Sequence, residues 1–228
     1  MKVFLTGATG FVGSALLQRF VADGIEVTAL VRNELVELPD GVEKVVGDLA
    51  GDCRVAGAPR NDVVNGPRDD VGNSLALTLK DCDVVVHAAA RAHIMRDEVA
   101  DPLAEYRRVN RDATLALARL ATQAGVKRFV FVSSVKVNGE ITRPGDAFVS
   151  EITQTPIDPY GLSKYEAEQG LLAMAKETGV EVVITRPPLV YGANAPCNFG
   201  SLVKWVKKGV PLPLGAALIR GCCQCRWG

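Results

Sequence analysis

The feature that most constrains this chain is a glycine triplet set between an apolar run and a helical pattern. Lys2-Val-Phe-Leu-Thr6 reads as a short buried strand, and Gly7-Ala-Thr-Gly10-Phe-Val-Gly13 follows at once. Phe11–Ala22 then places apolar residues at 12, 16, 17, 20 and 21, a helical spacing. A strand that turns on glycine straight into a helix opens a βαβ unit. Gly7 permits the tight turn, Gly10 lets backbone approach a pyrophosphate, and Gly13 lets the helix pack closely. The helix start offers unpaired N–H groups and the positive end of its dipole to phosphates. A dinucleotide site at Gly7, Gly10, Phe11, Val12 and Gly13 is therefore expected.

The remaining pattern repeats the unit. Glu26–Val31, Glu43–Val46, 83–87, Arg128–Val132 and Glu181–Thr185 read as further strands. A long helix is expected over 101–124, ending at Gly125, and another from about 160 to 178, capped by Gly179. Strands alternating with helices, apolar enough to be covered on both faces, predict an α/β, Rossmann-like, doubly wound parallel sheet. Residues 1–192 are assigned to this domain and 193–215 to the start of a substrate lobe. Residues 50–74 carry Gly, Pro, Asn, Asp and Arg without periodicity and are expected to form a surface insertion. Residues 216–228 form an atypical tail containing Cys222, Cys223 and Cys225, whose spacing lacks a C-x-x-C pair; no metal is expected.

Arg32 ends the second strand, where an acidic residue would bind a ribose 2′-hydroxyl and an arginine accepts a 2′-phosphate. The cofactor is thus NAD or NADP, with a lean to NADP. Arg32 is equally readable as a surface arginine. Asp48, beside Leu49 in Gly47-Asp-Leu49, reads either as an adenine contact or as a turn-forming residue.

Ser134 closes the apolar run Phe129-Val-Phe-Val-Ser-Ser134, and Tyr160 and Lys164 are spaced Y-x-x-x-K. Lys164 lies one helical turn from Tyr160 on the same face. Oxidising a secondary alcohol needs a base, and a free tyrosine near pKa 10 is a poor one at neutral pH. A lysine charge beside it is expected to lower that pKa. Ser134, at the C-terminal end of its strand, can hold the substrate oxygen. The three together point to hydride transfer at a carbon bearing a hydroxyl or keto group.

These residues, with Val86-His-Ala-Ala-Ala90, Val109-Asn110 and Arg186-Pro-Pro-Leu-Val-Tyr-Gly192, resemble the extended short-chain dehydrogenase/reductase family in its nucleotide-sugar epimerase/dehydratase branch. The resemblance covers residues 1 to about 215. Val135-Lys-Val-Asn-Gly-Glu140 and Asn198-Phe199 resemble a bacterial subgroup tied to surface polysaccharide, similar to UDP-glucose 4-epimerases and 4-keto-sugar reductases. It implies Ser134, Tyr160 and Lys164 as the catalytic triad, with Tyr160 and Lys164 also touching the cofactor. It implies Ala88, Ala89, Ala90 and Pro187 on the cofactor, and Ser134 and Asn198 on a UDP-sugar. It further implies a homodimer through the helices at 101–124 and 160–178. His87 and Asn110 are expected to be architectural.

Two departures narrow the reading. Val135-Lys136 stands where sugar 4,6-dehydratases carry an Asp-Glu pair, so dehydration is not expected. The family continues into a C-terminal lobe that is mostly absent here, as a truncated or frameshifted reading frame would give. A cofactor-binding remnant without turnover is the reading from another class. Lys+Arg and Asp+Glu are both 26, so no basic footprint for nucleic acid is present. The N-terminus is too short in apolar residues for a signal peptide and no run is long enough to span a bilayer, which predicts no membrane association and a cytoplasmic location.

Overall fold

A computed structural model describes residues 1–49, 69–91, 101–142, 146–152, 154–192, 195 and 197–209. Six strands, β1 (Lys2–Thr6), β2 (Glu26–Val31), β3 (Glu43–Val46), β4 (Val84–His87), β5 (Arg128–Val132) and β6 (Glu181–Thr185), form one sheet in the order β3-β2-β1-β4-β5-β6. Every pairing is parallel. The order reverses between β1 and β4, which opens a crevice at the carboxyl ends of those strands.

The strands' period of two divides the core. Phe4, Leu30, Val85, Phe129 and Phe131 join one buried cluster; Val3, Leu5, Val27, Ala29 and Val86 join the other. On the first face lie α2 (Asp69–Lys80), α4 (Ala113–Gln123) and α5 (Pro159–Thr178), through Leu75, Leu79, Leu117, Leu171 and Met174. On the second, α1 (Phe11–Ala22) buries Leu17. Val183 of the edge strand β6 remains 41% exposed.

Three expectations need correction. The helix at 101–124 is not one regular α-helix: α3 (Pro102–Tyr106) runs into a π-helical segment, Arg107–Asp112, before α4. The extra residue per turn turns Asn110 wholly into the interior. The insertion at 50–74 overlaps α2, whose Leu75 and Leu79 are buried at the i, i+4 spacing of a helix. Residues 50–68 lie outside the described residues, as does the cysteine-bearing tail. The strand expected at 83–87 begins at Val84.

Helix α5 starts where its sequence dictates. Pro159 takes the first helical position, and the Asp158 carboxylate accepts from the amides of Tyr160 (3.2 Å) and Gly161 (2.9 Å). Gly179 ends it in the left-handed region at φ 76°. A final helix, α6 (Cys197–Lys207), leaves Leu202, Val203, Trp205 and Val206 exposed among the described residues. No helix among the described residues is long and apolar enough to cross a membrane.

Candidate active site

The glycine turn is held by contact. A Cβ at Gly7, which has φ 74°, would lie 2.6 Å from the Ala89 amide nitrogen. A Cβ at Gly13 would lie 2.0 Å from the Gly7 carbonyl oxygen. Those distances admit no side chain, so glycine brings β1, the end of β4 and the first turn of α1 together. Gly10 is the N-cap of α1 and has no side chain to occupy the first amides.

A cleft of about 470 Å³ opens at the crevice between β1, β2 and β4. Of the residues expected to hold a dinucleotide, Gly7, Gly10, Arg32, Asp48, Leu49, Ala88, Ala89 and Ala90 line it. Phe11, Val12 and Gly13 sit just behind, in the first turn of α1. Sequence reasoning missed Glu105, Arg108 and Val109, which line the same cleft from α3 and the π-helical segment. Their one signal was Glu105 and Arg108 at i, i+3, and they do pair, at 2.7 Å.

Ser134, Tyr160 and Lys164 come from the end of β5 and the first turns of α5. Ser134 caps a short 3₁₀ turn, Val135–Val137, its Oγ accepting from the Lys136 amide at 3.3 Å. The Val135 amide donates to the Pro187 carbonyl at 3.1 Å, which sets Pro187 against this turn. The Tyr160 ring meets Tyr106 edge-on, with 6.0 Å between centroids. Lys164 is 1% exposed; its ammonium donates to the Val132 carbonyl at 3.0 Å and stands 4.5 Å over the Phe131 ring. Asn198 falls on α6, and its side chain lies outside the described residues.

The electrostatics differ from the sequence expectation in one respect. Burial pushes the Tyr160 phenol above its ordinary value, while a hydrogen bond with Ser134 works against that shift. The Lys164 charge is not among the causes of that shift. Burial brings Lys164 itself down to about 7, against the opposing pull of the Glu168 carboxylate. Glu168, fully buried, is held by Arg186, with Nη2 to Oε2 at 2.7 Å and Nε to Oε1 at 3.0 Å. A lysine poised near neutrality beside a protonated phenol can exchange charge with its surroundings at physiological pH.

His87 is architectural in placement: it is buried, bonded to Thr6 and Thr114, and stacked 5.8 Å from the Phe131 ring. Burial, and secondarily the Lys164 charge, bring its pKa down to about 3. Asn110 is fully buried and satisfied, accepting from the Arg91 amide (2.8 Å) and donating to the Arg91 carbonyl and Ser163 Oγ (both 3.1 Å).

Known proteins share this fold. Residues 3–207 match the family described as NAD dependent epimerase/dehydratase. The chain is 42% identical over 215 residues to a UDP-glucose 4-epimerase of Vibrio cholerae, a stretch covering 94% of this chain and 60% of the relative. It superposes on a Thermus thermophilus UDP-glucose 4-epimerase solved in complex with NAD at TM-score 0.72 and 26% identity, covering 93% of this chain and 64% of that one. MoeE5, solved with UDP-glucose and NAD, gives TM-score 0.69 and 28% identity, with 93% and 63% covered. The chain thus spans about 60% of the length of the Vibrio cholerae relative.

Proposed function

The chain belongs to the NAD dependent epimerase/dehydratase family, and on that premise we propose that it binds NAD or NADP in the glycine-turn cleft and acts at C4 of a UDP-hexose, as a UDP-glucose 4-epimerase does. The observation that carries this reading is the meeting of Ser134 and Tyr160 after β5, the strand paired with β4, with the buried Lys164 one turn further along α5; none of the three lines the cleft itself. The cleft fits a dinucleotide: its floor admits no side chain at Gly7 or Gly13, and the first amides of α1 face it uncapped.

The protein's own residues have separable roles. Ser134 Oγ holds the C4 oxygen, and Tyr160 Oη exchanges a proton with it. The phenol starts protonated and so is ready to donate to a keto oxygen; to take the C4 hydroxyl proton it must first give up its own, so the oxidative direction runs through the phenolate. Lys164, protonated in about half the molecules at a pH near its pKa of about 7, biases that exchange and can anchor a ribose hydroxyl. Bound, the dinucleotide supplies the chemistry of hydride exchange. Asn198 is assigned to the sugar nucleotide by resemblance. Lys136 pairs with Glu140 (3.3 Å) and Asp158 (3.7 Å) where a dehydratase needs an acidic pair, which favours an enzyme that does not eliminate water.

Arg32 at the cleft favours a second reading, an NADPH-consuming 4-keto-sugar reductase. In either case α3–α4 and α5 are the faces proposed to pair in a homodimer. The test is incubation of the protein with UDP-glucose, with UDP-galactose and with a UDP-4-keto-hexose, each with and without NADPH. Interconversion without cofactor consumption supports the epimerase; oxidation of NADPH only with a 4-keto sugar supports the reductase; neither would reduce the chain to a cofactor-binding module.

A further inference from the structure

A continuous line of buried hydrogen bonds runs from the glycine turn to the backbone of Tyr160. The Ala89 amide donates to Thr6 Oγ1 (3.3 Å), Thr6 Oγ1 meets His87 Nδ1 (2.6 Å), and His87 Nε2 meets Thr114 Oγ1 (2.8 Å). Thr114 Oγ1 donates to the Asn110 carbonyl (2.8 Å), Asn110 Nδ2 donates to Ser163 Oγ (3.1 Å), and Ser163 Oγ donates to the Tyr160 carbonyl (2.8 Å). Thr6, His87, Asn110, Thr114 and Ser163 are all buried.

The proton directions follow by elimination. A carbonyl only accepts, so Thr114 spends its single hydroxyl proton on Asn110. Its oxygen must then accept from His87, which requires a proton on Nε2. A neutral ring protonated there leaves Nδ1 as an acceptor, and Thr6 supplies the hydrogen. Thr6 oxygen is left to accept from Ala89. One tautomer satisfies every partner; the other leaves two acceptors facing each other at Nε2 without a hydrogen and wastes a donor at Nδ1. The ends of the line matter for chemistry. Ala89 is the residue against which Gly7 is packed, and Tyr160 carries the proposed acid/base hydroxyl.

We propose that His87 and Thr114 are positioning residues: the Nε2-protonated imidazole ties the glycine turn and the end of β4 to the π-helical segment and the start of α5, so that the dinucleotide cleft and Tyr160 hold one fixed relation. This rests on the cleft being the dinucleotide site. It requires His87 to be a spectator to proton transfer and yet necessary to the site's geometry. It also accounts for the π-helical segment, which turns Asn110 inward and passes the line on to Ser163.

The experiment uses imidazole ¹⁵N NMR and NAD titration on the parent, Thr114→Val and Thr114→Ser. The chain has two histidines, and His87→Gln assigns the relevant signal. The parent is expected to show Nε2 protonated and Nδ1 accepting at neutral pH. Thr114→Val, nearly isosteric and outside the cleft lining, should mix the tautomers and weaken NAD binding by about fivefold, the scale of one neutral hydrogen bond. Thr114→Ser, which keeps the hydroxyl, should restore both readouts. Parent-like NAD binding by a folded Thr114→Val, or a parent imidazole protonated at Nδ1, would overturn the relay alone. No NAD binding by the parent would overturn the cofactor reading, and the relay's purpose with it. If Thr114→Val does not fold, the parent's tautomer decides alone: protonation at Nε2 supports the relay and protonation at Nδ1 overturns it.

Discussion

At the scale of residues, the proposed function separates groups that hold position from groups that exchange protons. It assigns Tyr160 to the second kind. Tyr160→Phe keeps the ring against Tyr106 but removes the hydroxyl, so turnover should fall by on the order of 10²–10⁴ with NAD affinity nearly unchanged. A loss below about tenfold would remove the acid/base role. Arg32 sits at the cleft. Arg32→Asp should move preference from NADP toward NAD by exchanging a phosphate partner for a ribose-hydroxyl acceptor. Titrating both cofactors into both proteins measures the ratio, and an unchanged ratio takes Arg32 out of the site. His87 carries a signature in acid. Its folded pKa of about 3 lies below the ordinary 6.5, so between those values the unfolded chain binds a proton that the folded chain refuses. The stability due to neutral His87 is therefore full above about pH 6.5 and is lost as pH falls toward 3. Melting temperature against pH should fall more steeply for the parent than for His87→Gln over that window. Parallel curves would contradict the buried neutral ring.

At the scale of elements, the sequence disclosed what has a short-range cause. The strand–glycine–helix start was legible because Gly7 and Gly13 face backbone at distances that only glycine tolerates. The four inner strands were legible because β1, β2, β4 and β5 turn apolar residues toward both clusters, and β3 and β6 because Val45, Val182 and Ile184 keep the alternation on one face. The π-helical segment was not, since Arg107–Asp112 has ordinary helical composition and its extra residue is selected by the buried partners of Asn110. Helix α2 was hidden for another reason: Gly72, Asn73 and Ser74 mask a pattern whose anchors are Leu75 and Leu79. Arg108 and Glu105 were missed at the cleft because their contact with it depends on tertiary placement. The start of α5 gives a test. Asp158 caps the turn that bears Tyr160, and Gly161 sits so close that a Cβ would lie 2.6 Å from the Asp158 carboxylate. Asp158→Ala should cost about 1 kcal/mol of stability in denaturant titration. It should also lower kcat more than KM, because the fraying turn carries the phenol; an unchanged kcat would show that the cap serves the fold alone.

At the scale of the whole molecule, the sheet order places every proposed function at one edge. The order β3-β2-β1-β4-β5-β6 opens its crevice between β1 and β4, and Ser134 follows β5, the next strand over. Two of the sheet's layers are filled by alternation of side chains, while α6 and Val183 expose apolar surface among the described residues. The central claim is that the glycine-turn cleft holds a dinucleotide. Isothermal titration of NAD and NADP into the protein and into Gly7→Val tests it most directly, because the introduced side chain would strike the Ala89 backbone and block the turn. One dinucleotide bound per parent chain and none by the folded variant is the result predicted; no binding by the parent, or equal binding by a folded Gly7→Val, would contradict it.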